Sequence, residues 1–505
     1  MGYAIIIDSI KGYGGVFTMD EQKNLKRNLW FFPLGTVGRD MMYNLVTNFL
    51  LTYILFTKGL DAAQLTAITA IMVAARVFDA LNDPIMGNII ENTHTKWGKF
   101  KPWMVIGTVL SCIVVFMVFS TNLKGWEFVV LFGIFYFCYS IAYTMHDISY
   151  WGIVPALSSD AGARDAFTSR ATLFAGVGGT LASIIIPMFT TGASAIGGNA
   201  STSYTVVALG ICILMPAFFL FTIIGVKEHR EMVKPEKKAG GVFKKMIDAV
   251  KHNDQLRWIA VIFLIQQIGN GFVLGGIGST YIYLQFGYEG GLYSLFSTVG
   301  VAATAFLMIF YPVISKKINR KPLMNLMVVI STVGYAMMIL SRIIPAAGFL
   351  LLTIGYMISN FGLYSYYLIM MISIINTVEY NEYKTGERNE AIIASARPLI
   401  TKMSSAIIVV MTTATYMIFG VTNYTNQISD LESASAAGQI TDAEKLEAIS
   451  GVIQGVDQGQ TWGLLILMVV IPYAMMLLSN ALYQKRYKLD EAEYERICKE
   501  LENRK

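Results

Sequence analysis

The sequence predicts an all-α polytopic membrane protein with twelve transmembrane helices in two six-helix halves. Three observations predict it. Hydrophobic residues make up 54% of the 505-residue chain and charged residues only 14%, where a soluble domain carries about 25% charge. The charges are clustered, and the apolar runs between them last roughly 20–25 residues, the length a helix needs to cross a bilayer. The runs are too long and too uniformly apolar for the alternating segments of a β-barrel, and a helix satisfies its backbone polar groups within the segment. A net charge of +5 does not single out nucleic acid as a partner. Four cysteines, Cys112, Cys138, Cys212 and Cys498, show no C-x-x-C spacing, so neither a disulfide framework nor a thiolate metal site is expected.

Taken in order, the spans are predicted at 29–57, 65–91, 102–121, 127–156, 171–193, 203–226, 258–285, 292–315, 322–341, 348–376, 391–420 and 462–483. With both termini placed in the cytoplasm, 31 of the 39 basic residues fall in the tails and inner loops. The outer loops then hold only Lys58, Lys124, Arg342 and Lys445, the asymmetry that sets orientation. The domain plan is a cytoplasmic tail 1–27, a six-helix bundle 28–226, a basic central loop 227–257 with a short amphipathic helix near 243–250, a second bundle 258–483, and a cytoplasmic tail 484–505. The loop after the second span reads KWGKFKPW and the loop after the eighth reads KKINRKPL, a faint internal echo. Six plus six helices with a basic centre is the pattern of the major facilitator architecture. The outer loop 421–461 is polar and acidic and lacks His and Cys. It offers no catalytic set, so the chain is not read as an enzyme.

Ionisable side chains inside spans cost about 2.5–3.5 kcal/mol each on insertion scales and mark function. Here they are Arg39 and Asp40 in the first span, Arg76, Asp79 and Asp83 in the second, Asp147 beside His146 in the fourth, and Arg397 and Lys402 in the eleventh. Asp79 and Asp83 are four residues apart and share a helical face. They repel unless a cation, a proton or a base sits between them. Arg76 can neutralise one, and the other needs a partner. A hard oxygen-rich site of this kind suits Na⁺ or H⁺, with Asn82 and Thr144 as neutral oxygen ligands. A structural ion-pair cage is the competing account. Asp147 and Trp151, one turn apart, form a reasonable sugar-binding couple, a carboxylate for hydroxyls and an indole for a ring face; Trp151 also fits an interfacial belt. His146 reads as a packing or cavity-wall residue, and Arg170 as reaching either the cavity or the interface.

The stretch RVFDALNDPIMGNIIENTHTKWGKFKPW (76–103) resembles the signature of the glycoside–pentoside–hexuronide:cation symporter family. GRD in the first span, YTMHDISYWGIVP in the fourth, NTVEYNEYKTGERNEA (376–391) and RPLITKMSSA in the eleventh extend the resemblance. It implies a major facilitator fold and cation-coupled symport of a glycoside, pentoside or hexuronide by alternating access. By position it implies a cation site at Asp79, Asp83, Asn82 and Thr144. Substrate contacts fall on Asp40, Asp147, Trp151 and Arg170, with Arg39 in the same charge set. Lys402 is expected to face the acidic cluster from the other half. Lys99, Lys101 and the loop around Arg388 are implied as inner-gate elements. Arg397 stands where the melibiose-permease type has a neutral amide and is expected to pair with Asp40 or Asp147, or else to meet an anionic substrate. No organic cofactor is implied, only the coupling ion. The partners are a sugar and membrane lipid, the location is the cell membrane, and a monomer is expected to function. The alternative keeps the fold and carries an amphiphilic, lipid-like solute.

Overall fold

In a computed structural model, residues 19–158, 160–227, 251–387, 393 and 396–504 are described. Among them no strand occurs. The first half holds α1 (19–57), α2 (Ala62–Glu91), α3 (Lys101–Ser120), α4 (Gly125–Gly152), α5 (Ala161–Thr190) and α6 (Ala200–Gly225). The second half holds α7 (Asp254–Phe286), α8 (Gly290–Lys317), α9 (Arg320–Ile343), α10 (Gly348–Thr385) and α11 (Ala396–Ile418). A hairpin of α12 (Val421–Ala436) and α13 (Asp442–Gln454) follows, then α14 (Gln458–Arg486) and α15 (Glu491–Asn503).

Ten of these helical stretches are long and apolar enough to cross a membrane. The other two long stretches, α1 and α8, stand where the first and eighth spans are predicted. The chain is therefore a multi-pass membrane protein. Its helices start on side-chain caps that satisfy otherwise orphaned N–H groups: Asp61 and Gln64 form a reciprocal capping box at α2, and Asp160, Asn199 and Asn253 cap α5, α6 and α7. Close helix approach needs glycine at two places in particular. A Cβ on Gly178 of α5 would lie 2.2 Å from the Val37 carbonyl oxygen of α1, and one on Gly334 of α9 would lie 2.6 Å from the Gly355 carbonyl oxygen of α10.

The structure adds detail at three places. The first helix is already formed at Met19, so residues 19–27 of the presumed tail are helical. The outer loop 421–461 contains the α12–α13 hairpin. Its polar surface hides it from a hydropathy reading, but the Thr441–Glu444 capping box is a clear start signal. The C-terminal tail is an amphipathic helix, α15, with Ile497 and Leu501 buried. The amphipathic helix expected near 243–250 lies outside the described residues.

Both α1 and α7 are broken at mid-height. A π-helical turn at Leu45–Phe49 interrupts α1, and another at Val273–Ile277 interrupts α7. The two breaks pack against each other where the halves meet. Just beyond them, Thr52 of α1 and Ser279 of α7 share a hydrogen bond of 3.1 Å. Further inter-half bonds lie toward the end of the bundle that carries the hairpin: Thr69 to Thr413 at 2.9 Å, Ser294 to the Ile184 carbonyl at 3.1 Å, and the Gly290 N–H to the Thr191 carbonyl at 3.3 Å. The site described next lies between this joint and the opposite end, which carries α15.

Candidate functional site

Helices α2 and α4 face each other with matching ladders. Asp79 and Asp83 stand one turn apart on α2, and Ser140 and Thr144 stand one turn apart on α4. The Ser140 hydroxyl donates to Asp79 Oδ1, and the Thr144 hydroxyl donates to Asp83 Oδ1 at 3.3 Å. Arg76, a turn earlier on α2, reaches Asp79 Oδ2 at 3.5 Å. Lys402 crosses from α11 in the second half and donates to Asp83 Oδ2. Each carboxylate thus has a hydroxyl from α4 and a base of its own, one base from each half. Their accessibility differs: the Asp79 side chain is 5% exposed and the Asp83 side chain 31%. Asn82 sits in the same turn, with its buried amide nitrogen lacking a hydrogen-bond partner.

A second cluster surrounds Arg39. Its guanidinium forks onto Asp40 Oδ2 through Nε at 2.9 Å and Nη2 at 2.7 Å, and reaches Asp147 Oδ1 through Nη1 at 3.1 Å. The same group lies over the rings of Tyr150, at 5.1 Å, and Trp151, at 5.2 Å. A guanidinium held this way by two carboxylates and two aromatic faces has little freedom left. Arg39 is buried, while the Asp147 side chain is 39% exposed. Asp147 therefore keeps acceptor capacity for a ligand. His146, next in sequence, turns away into the protein, bonds to the Thr108 hydroxyl at 2.9 Å and packs edge-on to Phe219. It is a wall residue.

The other candidates lie apart from these clusters. Arg170 bonds to the Leu29 carbonyl at 3.3 Å and lies over Trp30, so it fastens α5 to the start of α1. Lys101 donates to the Ile223 and Val226 carbonyls and ties the start of α3 to the end of α6 within the first half. Lys99 lies over its neighbour Phe100. Arg388 lies outside the described residues. Arg397 corrects an expectation: it is exposed and bonds to the Tyr367 hydroxyl at 2.9 Å, and neither Asp40 nor Asp147 is its partner. Arg39 already occupies both of those carboxylates.

Sequence reasoning passed over Ser140. The signal was available, because Ser140 precedes Thr144 by four residues just as Asp79 precedes Asp83.

Fold and site together define a multi-pass membrane protein of major facilitator architecture. A family model described as "MFS/sugar transport protein" matches residues 31–491. The chain belongs to this family, which is the glycoside–pentoside–hexuronide symporter group. Among its relatives, a lactose permease of Leuconostoc lactis is 29% identical over 401 residues, covering 74% of this chain and 60% of the relative. A raffinose carrier protein of Pediococcus pentosaceus is 26% identical, covering 96% of this chain and 73% of the relative. A glucuronide carrier protein homolog of Escherichia coli is 24% identical, covering 75% and 81%. The chain thus spans about three-fifths of the length of the lactose permeases it matches. Among solved structures, a D-xylose-proton symporter superposes with a TM-score of 0.60 at 10% identity, covering 92% of this chain and 98% of that one. A bacterial homolog of the lysosomal transporter Spinster does so at 0.61 and 11%, covering 94% and 100%. These two likenesses speak to the fold alone.

Proposed function

We propose that this chain carries a sugar or glycoside across the cell membrane together with Na⁺ or H⁺, by alternating access, with both termini in the cytoplasm. The observation that carries the reading is the pair Asp79 and Asp83, with Asp83 half-open and held by a lysine from the opposite half. A single base from across the interface is a replaceable counter-charge. A cation arriving between the two carboxylates does the same electrostatic work as Lys402 and frees it. Release of Lys402 removes an inter-half ion pair, so ion occupancy and the arrangement of the halves become linked free energies. Thr144 and Ser140 supply neutral oxygens to the ion, as does the carbonyl oxygen of Asn82.

The sugar sits on the Arg39 cluster. Asp147 accepts from its hydroxyls, Trp151 lies along a ring face, and Arg39 fixes both side chains. Asp40 holds Arg39 from the other side. The names of the relatives, for lactose, raffinose and glucuronide, support a sugar cargo. Arg39, Arg76 and Lys402 face Asp40, Asp79, Asp83 and Asp147, and Arg397 lies apart from them. In formal charge the two clusters together carry one more acid than base, and a bound cation makes up the difference.

The test is uptake into membrane vesicles from a panel of labelled glycosides, pentosides and hexuronides, driven by a Na⁺ or a proton gradient, with Asp83→Cys beside the parent. The parent accumulates one class of sugar against its gradient and Asp83→Cys only equilibrates it. Accumulation by Asp83→Cys equal to the parent's refutes the assignment.

A further inference from the structure

The α12–α13 hairpin is attached to the second half, between α11 and α14, yet it seats on the first half. Its seat is the last turns of α1, the 192–198 loop and the start of α6. Inside the seat is an ion pair closed off from solvent. Glu432 of α12 is 0% exposed and Lys445 of α13 is 1% exposed. Lys445 Nζ lies 3.5 Å from Glu432 Oε2. Neither charge is satisfied within the hairpin alone. Glu432 Oε2 accepts from the Ala200 N–H, at the first residue of α6, at 2.7 Å, and Lys445 Nζ donates to the Gly198 carbonyl. Both of those backbone groups belong to the first half. The surfaces meet directly: a Cβ on Gly198, whose φ is +75°, would lie 2.2 Å from Asp442 Oδ2 of α13. The rim is tied as well, by Lys124 to the Ser433 hydroxyl at 2.7 Å and by Asn426 to the Leu60 carbonyl at 3.0 Å.

Burying a charge pair costs dehydration that the mutual attraction repays only when the geometry is good and the remaining valences are filled. Here one valence is not filled, since Glu432 Oε1 has no hydrogen-bond partner. Opening this end returns both charges to water. An apolar joint has no such release, because separation only exposes hydrocarbon. The pair is thus firm while seated and removable as a unit. Leaving one partner seated without the other is the costly case, an uncompensated charge in a dry joint.

We propose that Glu432 and Lys445 are gating residues, a charged latch that binds the hairpin of the second half to the first half and sets how readily this end of the carrier opens. The proposal rests on the alternating-access reading and assigns that cycle a device well away from the ligand clusters.

The experiment uses the full chain in membrane vesicles, with its four cysteines replaced by alanine and Thr69→Cys and Thr413→Cys introduced. Those hydroxyls are 2.9 Å apart across the joint, so brief oxidation of the new thiols reports how much of the population is shut. In the parent background, cross-linking stops sugar uptake and reduction restores it. Lys445→Met strands Glu432 and lowers the cross-linking rate by roughly tenfold or more. The double variant Glu432→Gln with Lys445→Met carries no bare charge, keeps an acceptor for Ala200, and recovers most of the parental rate. If the cross-linked parent still transports, alternating access fails and takes the latch with it. If cross-linking stops transport but Lys445→Met cross-links at the parental rate, the latch alone is overturned. Should Lys445→Met not reach the membrane, Glu432→Gln alone decides, because it keeps the side-chain volume and the Ala200 bond while breaking the ion pair. An unchanged rate there overturns the latch equally.

Discussion

A single residue shows how the proposed ion site is built. Asp79 is nearly sealed and leans on Arg76 at the long distance of 3.5 Å, so the Ser140 hydroxyl on its other oxygen carries more of its stabilisation than sequence spacing implies. Ser140→Ala removes a hydrogen bond to a buried ionised group, worth about 1.5–3 kcal/mol. The expected outcome is a coupling-ion concentration for half-maximal uptake raised by about tenfold or more, with sugar affinity at saturating ion unchanged; uptake titrated against the ion measures the first and equilibrium sugar binding the second. Unchanged ion dependence would remove Ser140 from the site. The carboxylate pair itself was legible from its four-residue spacing and the rarity of acids in apolar runs. Its two bases were not equally so. Arg76 is local, one turn away, while the pairing of Lys402 with Asp83 joins residues over 300 positions apart and came into view only through family resemblance. The pairing of Arg397 with Asp40 or Asp147 fails because formal charge says nothing of reach: Arg39 is the neighbour of Asp40 and bonds to both acids.

At the scale of elements, glycine contacts set how closely the helices pack. Gly178→Val pushes a branched side chain into the α1 backbone at Val37, and overpacking of this order costs about 1–3 kcal/mol. A lower yield of folded protein in the membrane and a lower midpoint in a thermal-aggregation assay are expected, whereas Gly176→Val, on a face with nothing within 4 Å, is tolerated. The hairpin escaped the sequence reading because neither of its helices is apolar enough to register, and the partners of its buried charges are backbone groups.

Over the whole molecule, the two halves repeat one fastening scheme. Lys101 at the start of α3 holds the end of α6, and Arg320 at the start of α9 holds the segment after α14 through the Leu489 carbonyl at 3.1 Å and Glu491 at 2.8 Å. The echo between KWGKFKPW and KKINRKPL thus has a physical content: each places a cation where the third helix of a half can bind the exit of its sixth. Arg320→Ala is expected to release α15, seen as faster proteolytic clipping of the C-terminus from the side of the membrane that bears it, with uptake only partly reduced. The outer-loop cations follow a complementary rule. Lys58 bonds to the Thr121 carbonyl, Lys124 to Ser433, Arg342 to Gln285 and Gln458, and Lys445 to Glu432. The long apolar helices could be read from hydropathy. How the halves sit against each other could not, because the bonds between them join residues over a hundred positions apart.

The paired π turns of α1 and α7 carry one more implication. Each lodges an additional residue in a helix that otherwise advances about 100° per position, and the wider turn absorbs it. Deleting a single amino acid within 45–49 restores regular winding and leaves Thr52 on the face it now presents, while a further residue inserted there swings it by about 100° away from Ser279. An insertion–deletion scan of this window should find single deletions tolerated where single insertions are not.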